Sequence, residues 1–186
     1  LVRSLGINIK IEFCRNDSLV TRARNNLIAK ALNDPKVTHV LFIDNDLIWE
    51  PVSVLKLLIA DKAIIGGVYP LKNYFWDKLK EPNIVKNWVD AKNSSMLKDI
   101  ISDEAIVQNK LLTYNLNLLP EGLTIENNIG RVKHIATGFM MIKRDTLEKM
   151  FMAFPSTKYT DDVSFLKPEE NKFAYALFDC GVEDDH

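Results

Sequence analysis

Val40-Leu41-Phe42-Ile43-Asp44-Asn45-Asp46 decides how this chain is read. Four consecutive apolar residues describe a strand covered on both faces, and two carboxylates close it. Like charges at i and i+2 repel at short range, which is a costly way to end a strand. A divalent cation turns that repulsion into attraction, and hard oxygen ligands suit magnesium or manganese. Side chains two apart on an extended segment share a face, so Asp44 and Asp46 can reach one ion or one ligand. The bland alternative has Asp44 making a turn and Asp46 capping the next helix, and an Asp-x-Asp pair alone does not choose between the two.

Downstream, Pro51 opens a helix running to about Ala60, with proline in the first turn where a missing N–H costs nothing. Ala63-Ile64-Ile65-Gly66-Gly67-Val68 reads as another buried strand. Upstream, Ile7, Ile9, Ile11 and Phe13 alternate with Asn8, Lys10 and Glu12, the period of a half-buried strand. Asp17 or Ser18 can cap a helix to about Ala31 or Leu32, with Leu19, Ala23, Leu27 and Ala31 on one stripe. Asn33-Asp34-Pro35 stops it. Residues 7–68 therefore run strand, helix, strand, helix, strand, the signature of a layered α/β sheet. In such sheets ligands bind outside the carboxyl ends of the strands, where Asp44 and Asp46 fall.

The second half is less regular. Tyr69 to Asn83 reads as a surface loop carrying Tyr74, Phe75 and Trp76. A helix is expected between Ser94 and Lys110, and a strand pair over Leu111–Leu119 and Thr124–Ile135, joined through Pro120-Glu121-Gly122. Gly138 to Ile142 reads as a short buried strand followed by a helix from Arg144 or Asp145 to about Phe151. Lys172 to Phe178 is expected to form a last strand.

With 186 residues, one domain over 1–186 with a substantial core is expected. The net charge of -1 supplies no global field for nucleic acid or anionic membrane, so neither is an expected partner. Cys14 and Cys180 lack motif spacing, which leaves paired, free and buried states open. No apolar run approaches the ~20 residues of a membrane span, so a soluble domain is expected, with the cytoplasm favoured. An Asn-, Lys- and Ile-rich composition fits an AT-rich genome, viral or bacterial. The chain begins at Leu1 without methionine and stops after an acidic run, which reads as a segment cut at both ends.

Ala23-Arg24-Asn25-Asn26-Leu27, Ala31, the strand ending in Asp44-Asn45-Asp46, Pro51 and Leu55 together resemble the nucleotide-sugar half of a GT-A fold glycosyltransferase. The resemblance is close over about residues 16–72 and looser at Thr137-Gly138-Phe139-Met140-Met141. Comparable stretches occur in mannosyltransferases, procollagen glycosyltransferases and enzymes of phages and large DNA viruses. It implies a GT-A-like (Rossmann-like), mostly parallel central sheet flanked by helices, with the first strand and a C-terminal part lying outside this chain. The nucleotide-sugar half would be about 7–83 and the acceptor and sugar-pocket half about 84–186. It further implies Mn2+ or Mg2+ on Asp46, with Asp44 touching the metal or the nucleotide, and Arg22 and Arg24 near the nucleotide. Gly67, Trp76, Gly138 and Phe139 would line the donor and acceptor pocket. The donor would be UDP- or GDP-linked, and the acceptor a glycan, protein or lipid. No catalytic base is identified; Phe178-Asp179 with Glu183-Asp184-Asp185 only faintly matches the acidic motif of the family.

Two rivals stand beside that expectation. Haloacid-dehalogenase-type phosphohydrolases also place Asp-x-Asp after a hydrophobic strand, with Asp44 as nucleophile and Asp46 as general acid. They carry Thr or Val two residues beyond the second Asp, where this chain has Ile48. A nucleotide-sugar binding domain without catalytic activity is the other.

Overall fold

The computed structural model describes residues 5–14, 17–83, 86, 87, 89, 90, 93 and 102–181. The fold is mixed α/β, and its backbone divides into two compact units that interleave along the chain. Unit 1 holds Leu1–Leu41, Leu55–Ile65 and Met141–His186; unit 2 holds Phe42–Val54 and Gly66–Met140. No helix among the described residues is long and apolar enough to cross a membrane.

The principal sheet has three strands, β1 (His39–Ile43), β7 (Phe139–Lys143) and β2 (Ile64–Gly66), in the order β1-β7-β2. Arg144 N donates to Thr38 O and Asp44 N to Gly138 O, so residue numbers fall along β1 as they rise along β7. Lys143 N to Ala63 O and Gly67 N to Phe139 O give the same reversal against β2. Both hydrogen-bonded pairs are therefore antiparallel, although β1 and β2 run the same way. The expectation of a mostly parallel sheet is corrected at this point. The helical crossover from β1 to β2 was legible, but it leaves a gap between those strands that the distant β7 fills. Four of the five β7 residues are buried, and its apolar run Phe139-Met140-Met141-Ile142 suits that place.

In unit 1, α1 (Val20–Leu32) follows the expected bounds but buries a different face. Asn25, Asn26, Ile28, Ala29 and Leu32 are inside, whereas Leu19 is exposed. Helix α2 (Pro51–Ala60) begins at its proline as expected, with Pro51–Val54 assigned to unit 2, and buries Leu57 in unit 1. Ala29, Leu166 and Ala174 form a small core against which Tyr159, Phe165 and Phe173 pack. The last α-helix among the described residues, α4 (Arg144–Ala153), buries Leu147 and Phe151, and Phe151 stacks on Tyr175 with ring centroids 4.1 Å apart.

Residues 7–14 form no strand. Ile9, Ile11 and Phe13 are 59%, 70% and 75% exposed, so the alternation is present but finds no ladder among the described residues. A period of two specifies a face, and a strand still needs a partner edge. Lys172–Phe178 is likewise no strand. It holds a 3-10 turn at Asn171–Phe173 and an isolated bridge from Lys158 to Tyr175.

In unit 2, β3 (Leu116–Asn117) pairs with β6 (His134–Ile135), and β4 (Ile125–Glu126) with β5 (Ile129–Gly130). The expected pairing of two long strands becomes two short ladders. Asn127 and Asn128 take positive φ of 52° and 63° and reverse the chain within the segment read as one strand. Helix α3 (Asp103–Leu111) is capped by the Ser102 hydroxyl, which accepts from Ala105 N at 3.2 Å. The earlier part of the expected Ser94–Lys110 helix, residues 94–101, lies outside the described residues.

Arg144 ties unit 1 together. Its guanidinium donates to Leu32 O (2.8 Å), Asp34 O (2.8 Å) and Val37 O (3.3 Å), and its Nε pairs with Glu148 at 2.7 Å. The end of α1 and the turn into β1 thus have three carbonyls bound by one side chain. Arg144→Ala should lower unfolding free energy by about 2–4 kcal/mol in urea denaturation. Arg144→Lys should restore little, because one ammonium cannot span three carbonyls.

Asn26 accepts from the Tyr159 hydroxyl and donates to Asp161 Oδ1 at 3.4 Å. Burial, with the Asp161 and Asp179 charges adding to it, pushes the Tyr159 phenol from 10.0 up to about 12. The unfolded chain loses that proton first, so stability present below pH 10 is lost as pH rises towards 12. Denaturation midpoints of Tyr159→Phe should fall less steeply across this window than those of the parent chain.

Candidate functional site

The acidic segment leaves β1 as a turn, not as a continued strand: Leu47 N donates to Asp44 O at 3.3 Å. Both Asp44 and Asp46 are exposed. The turn half of the bland alternative is therefore present, and Asp46 pairs with Lys72. That ammonium holds the Asp46 carboxyl below its ordinary range, and the carboxylate raises the Lys72 ammonium in return. Asp44 also acts on the Lys72 charge, so one cationic group lies within electrostatic reach of both carboxylates.

Lys72 is delivered by a loop fastened to the segment after α3. Leu71 N donates to Thr113 O (2.7 Å), Asn115 N to Tyr69 O (3.1 Å) and Phe75 N to Leu111 O (2.9 Å). Pro70 forms a bridge with Tyr114, and Lys78 Nζ donates to Leu112 O at 2.6 Å. The loop ends in a 3-10 turn, Trp76–Lys80. On it Trp76 is exposed and lies against Tyr74, with centroids 5.7 Å apart.

Gly138 faces the acidic turn. Its carbonyl accepts from Asp44 N at 2.7 Å, and its own N–H donates to the Tyr69 hydroxyl at 3.0 Å. A Cβ placed there would stand 2.5 Å from that hydroxyl and 2.6 Å from Asp44 Oδ2. Glycine is required because the volume of a methyl group is already filled by two polar side chains. Gly67 is constrained in the same manner by the Phe139 ring, which is itself buried and tilted against Trp49 at 5.9 Å.

Of the residues selected from sequence, unit 2 gathers Asp44, Asp46, Gly67, Gly138 and Phe139 around the ends of β1 and β7. Trp76 shares their unit, on the Lys72 loop. Arg22 and Arg24 belong to unit 1. Arg22 donates to Asp17 through Nη2 (2.8 Å) and Nε (3.2 Å), and Arg24 sits 5.9 Å from the centre of the Phe178 ring. Asn25 donates to Asp179 Oδ1 at 3.2 Å and accepts from Phe178 N at 3.0 Å. Glu183, Asp184 and Asp185 of the acidic tail lie outside the described residues.

The sequence reading leaves Lys72 as one residue of the Tyr69–Asn83 surface loop, without its pairing to Asp46, which joins residues 26 positions apart. It also passes over Asn25 and Asn26 as the buried amides that order unit 1. Two asparagines inside a helix are poor helix formers, and that cost was the available signal.

Among the described residues, no three His, Cys, Asp or Glu side chains cluster as a metal cage. The donor set on offer is two exposed carboxylates beside a glycine cradle. Such a pair fits a cation that keeps most of its shell as water and phosphate oxygen, the habit of magnesium and, with similar ligands, manganese. No family model matches the chain, and no curated protein or solved structure matches it either.

Gly138→Ala should displace the Asp44 carboxylate or the Tyr69 ring. A loss of about 1–3 kcal/mol in thermal or urea stability is expected from overpacking. Gly67→Ala, which crowds Phe139 without touching Asp44, is the control for packing alone.

Proposed function

We propose that this chain is a metal-dependent glycosyltransferase domain of GT-A type that moves a sugar from a UDP- or GDP-linked donor to a glycan, protein or lipid acceptor. The observation that carries the reading is the arrangement at the end of β1. Asp44 and Asp46 are exposed, share the field of one ammonium, and adjoin a glycine whose missing side chain makes room for Asp44. The sequence likeness over residues 16–72 supports the same reading.

Asp46, with Asp44, would hold Mn2+ or Mg2+, and the bound cation would neutralise charge on the departing diphosphate. For Arg22 and Arg24 the sequence likeness is the sole support: it gives them guanidinium hydrogen bonds to the nucleotide. Gly67, Gly138 and Phe139 would form the wall against which the sugar packs. Trp76, exposed on its loop, would offer an aromatic face to the acceptor.

Calorimetry with UDP and GDP, with and without Mn2+, tests the assignment. Cation-dependent nucleotide binding should vanish in Asp46→Ala and weaken several-fold in Arg24→Ala. Donor binding unchanged in both variants would remove the site. Turnover of simple phosphate esters in place of nucleotide-sugar hydrolysis would favour the phosphohydrolase.

A further inference from the structure

Lys72 stands where a cation on Asp46 would stand. Its backbone is fastened through Leu71 to Thr113 and through the bridge from Pro70 to Tyr114, whereas its side chain is 74% exposed. The Asp46 side chain is 48% exposed. A fixed Cα with a flexible four-carbon stem lets the ammonium leave the carboxylate without moving the loop. Exposed ion pairs of this kind are weak, so a divalent cation with twice the charge can displace the ammonium.

Resting on the proposed metal site, we infer that Lys72 is a displaceable counter-ion: it occupies Asp46 until a divalent cation arrives with a diphosphate, and then pairs with that diphosphate. The charges favour this order. A cation arriving alone must expel Lys72 from Asp46 and leave two positive charges near one another beside the carboxylates. A cation arriving with a diphosphate brings the anion that the expelled ammonium needs. Lys72 therefore weakens binding of the bare cation and strengthens binding of the cation–diphosphate pair, which makes the two ligands mutually dependent. Asp44 contributes by keeping the displaced ammonium within its field.

The test is titration of the full chain with Mn2+ alone, followed by the electron paramagnetic resonance signal of free Mn2+, and then with UDP added. Lys72→Met should bind Mn2+ alone roughly three- to tenfold more tightly than the parent, from loss of the competing ion pair and of a nearby positive charge. The same variant should gain less from UDP than the parent does. Lys72→Arg should keep the parent's pattern, and Asp46→Asn should lose Mn2+ in either background. Equal or weaker Mn2+ binding by Lys72→Met, with Asp46→Asn still losing the ion, would overturn the counter-ion role and leave the metal site standing. With UDP present, Mn2+ binding indifferent to Asp46→Asn, or absent from parent and Lys72→Met alike, would overturn both.

Discussion

Strand β7 is hydrogen-bonded on both edges, and the acidic site depends on that pairing. Its register puts Gly138, just before β7, opposite Asp44, just after β1, where Gly138 O receives Asp44 N at 2.7 Å. With the turn anchored there, the Asp44 carboxylate enters the space beside Gly138 that a side chain would otherwise take. The Tyr69 hydroxyl enters the same space and accepts the Gly138 N–H. A one-residue slip of β7 would bring Thr137 or Phe139 to this position and flip the strand's buried faces. The same pairing that buries Phe139 to Ile142 therefore also defines the site, and sequence changes that loosen one loosen the other.

Unit 1 obeys a different constraint, the satisfaction of polar groups that folding removes from water. Asn25 and Asn26 are 2% and 0% exposed on a helix face that an apolar residue would fill at less cost. Their amides are used: Asn25 holds Phe178 and Asp179, and Asn26 holds Tyr159 and Asp161. Asp161 in turn accepts from Phe165 N (2.6 Å) and Leu166 N (2.9 Å), which orders a polar segment having little regular structure of its own. Two helical amides thus organise chain segments more than 130 positions away. Apolar replacements would strand those partners, and the cost of the unpaired groups exceeds what the added burial returns.

Legibility in the sequence followed whether the signal was local. Helix α1, strand β1 and helix α2 could be read because a proline, an apolar run and a turn lie within a few residues of one another. The bounds of β7 and α4 followed from the contrast between Phe139-Met140-Met141-Ile142 and the charged residues after it. The insertion of β7 between β1 and β2 could not be read, because no pattern in either strand states who its neighbour is. Residues 7–14 carry a strand's period yet form no ladder, and Asn127-Asn128 breaks a run whose apolar content looked continuous. At the site, Asp44, Asp46 and Gly138 were legible as residue types in context. Lys72 was visible as a lysine in an aromatic loop, but only the fastening of that loop to residues 111–115 brings it to Asp46.

The exposure of the two carboxylates bears on what kind of cation site this chain can offer. A closed structural site needs enough ligands to repay the ion for its lost water, and the described residues supply no third acidic or imidazole group. For the proposed cation, two carboxylates on a turn would repay only part of that cost, and the remainder would come from a ligand carrying its own negative oxygens. Before that ligand arrives the turn still holds two like charges near one another, and the Lys72 ammonium answers that repulsion at small cost because it stays hydrated. In the proposed site, an exposed acid pair, a hydrated counter-charge and a close-packed glycine would together answer a single electrostatic problem. Burying the pair would strengthen every interaction within it, but would also raise the penalty for keeping two carboxylates ionised whenever the cation is away.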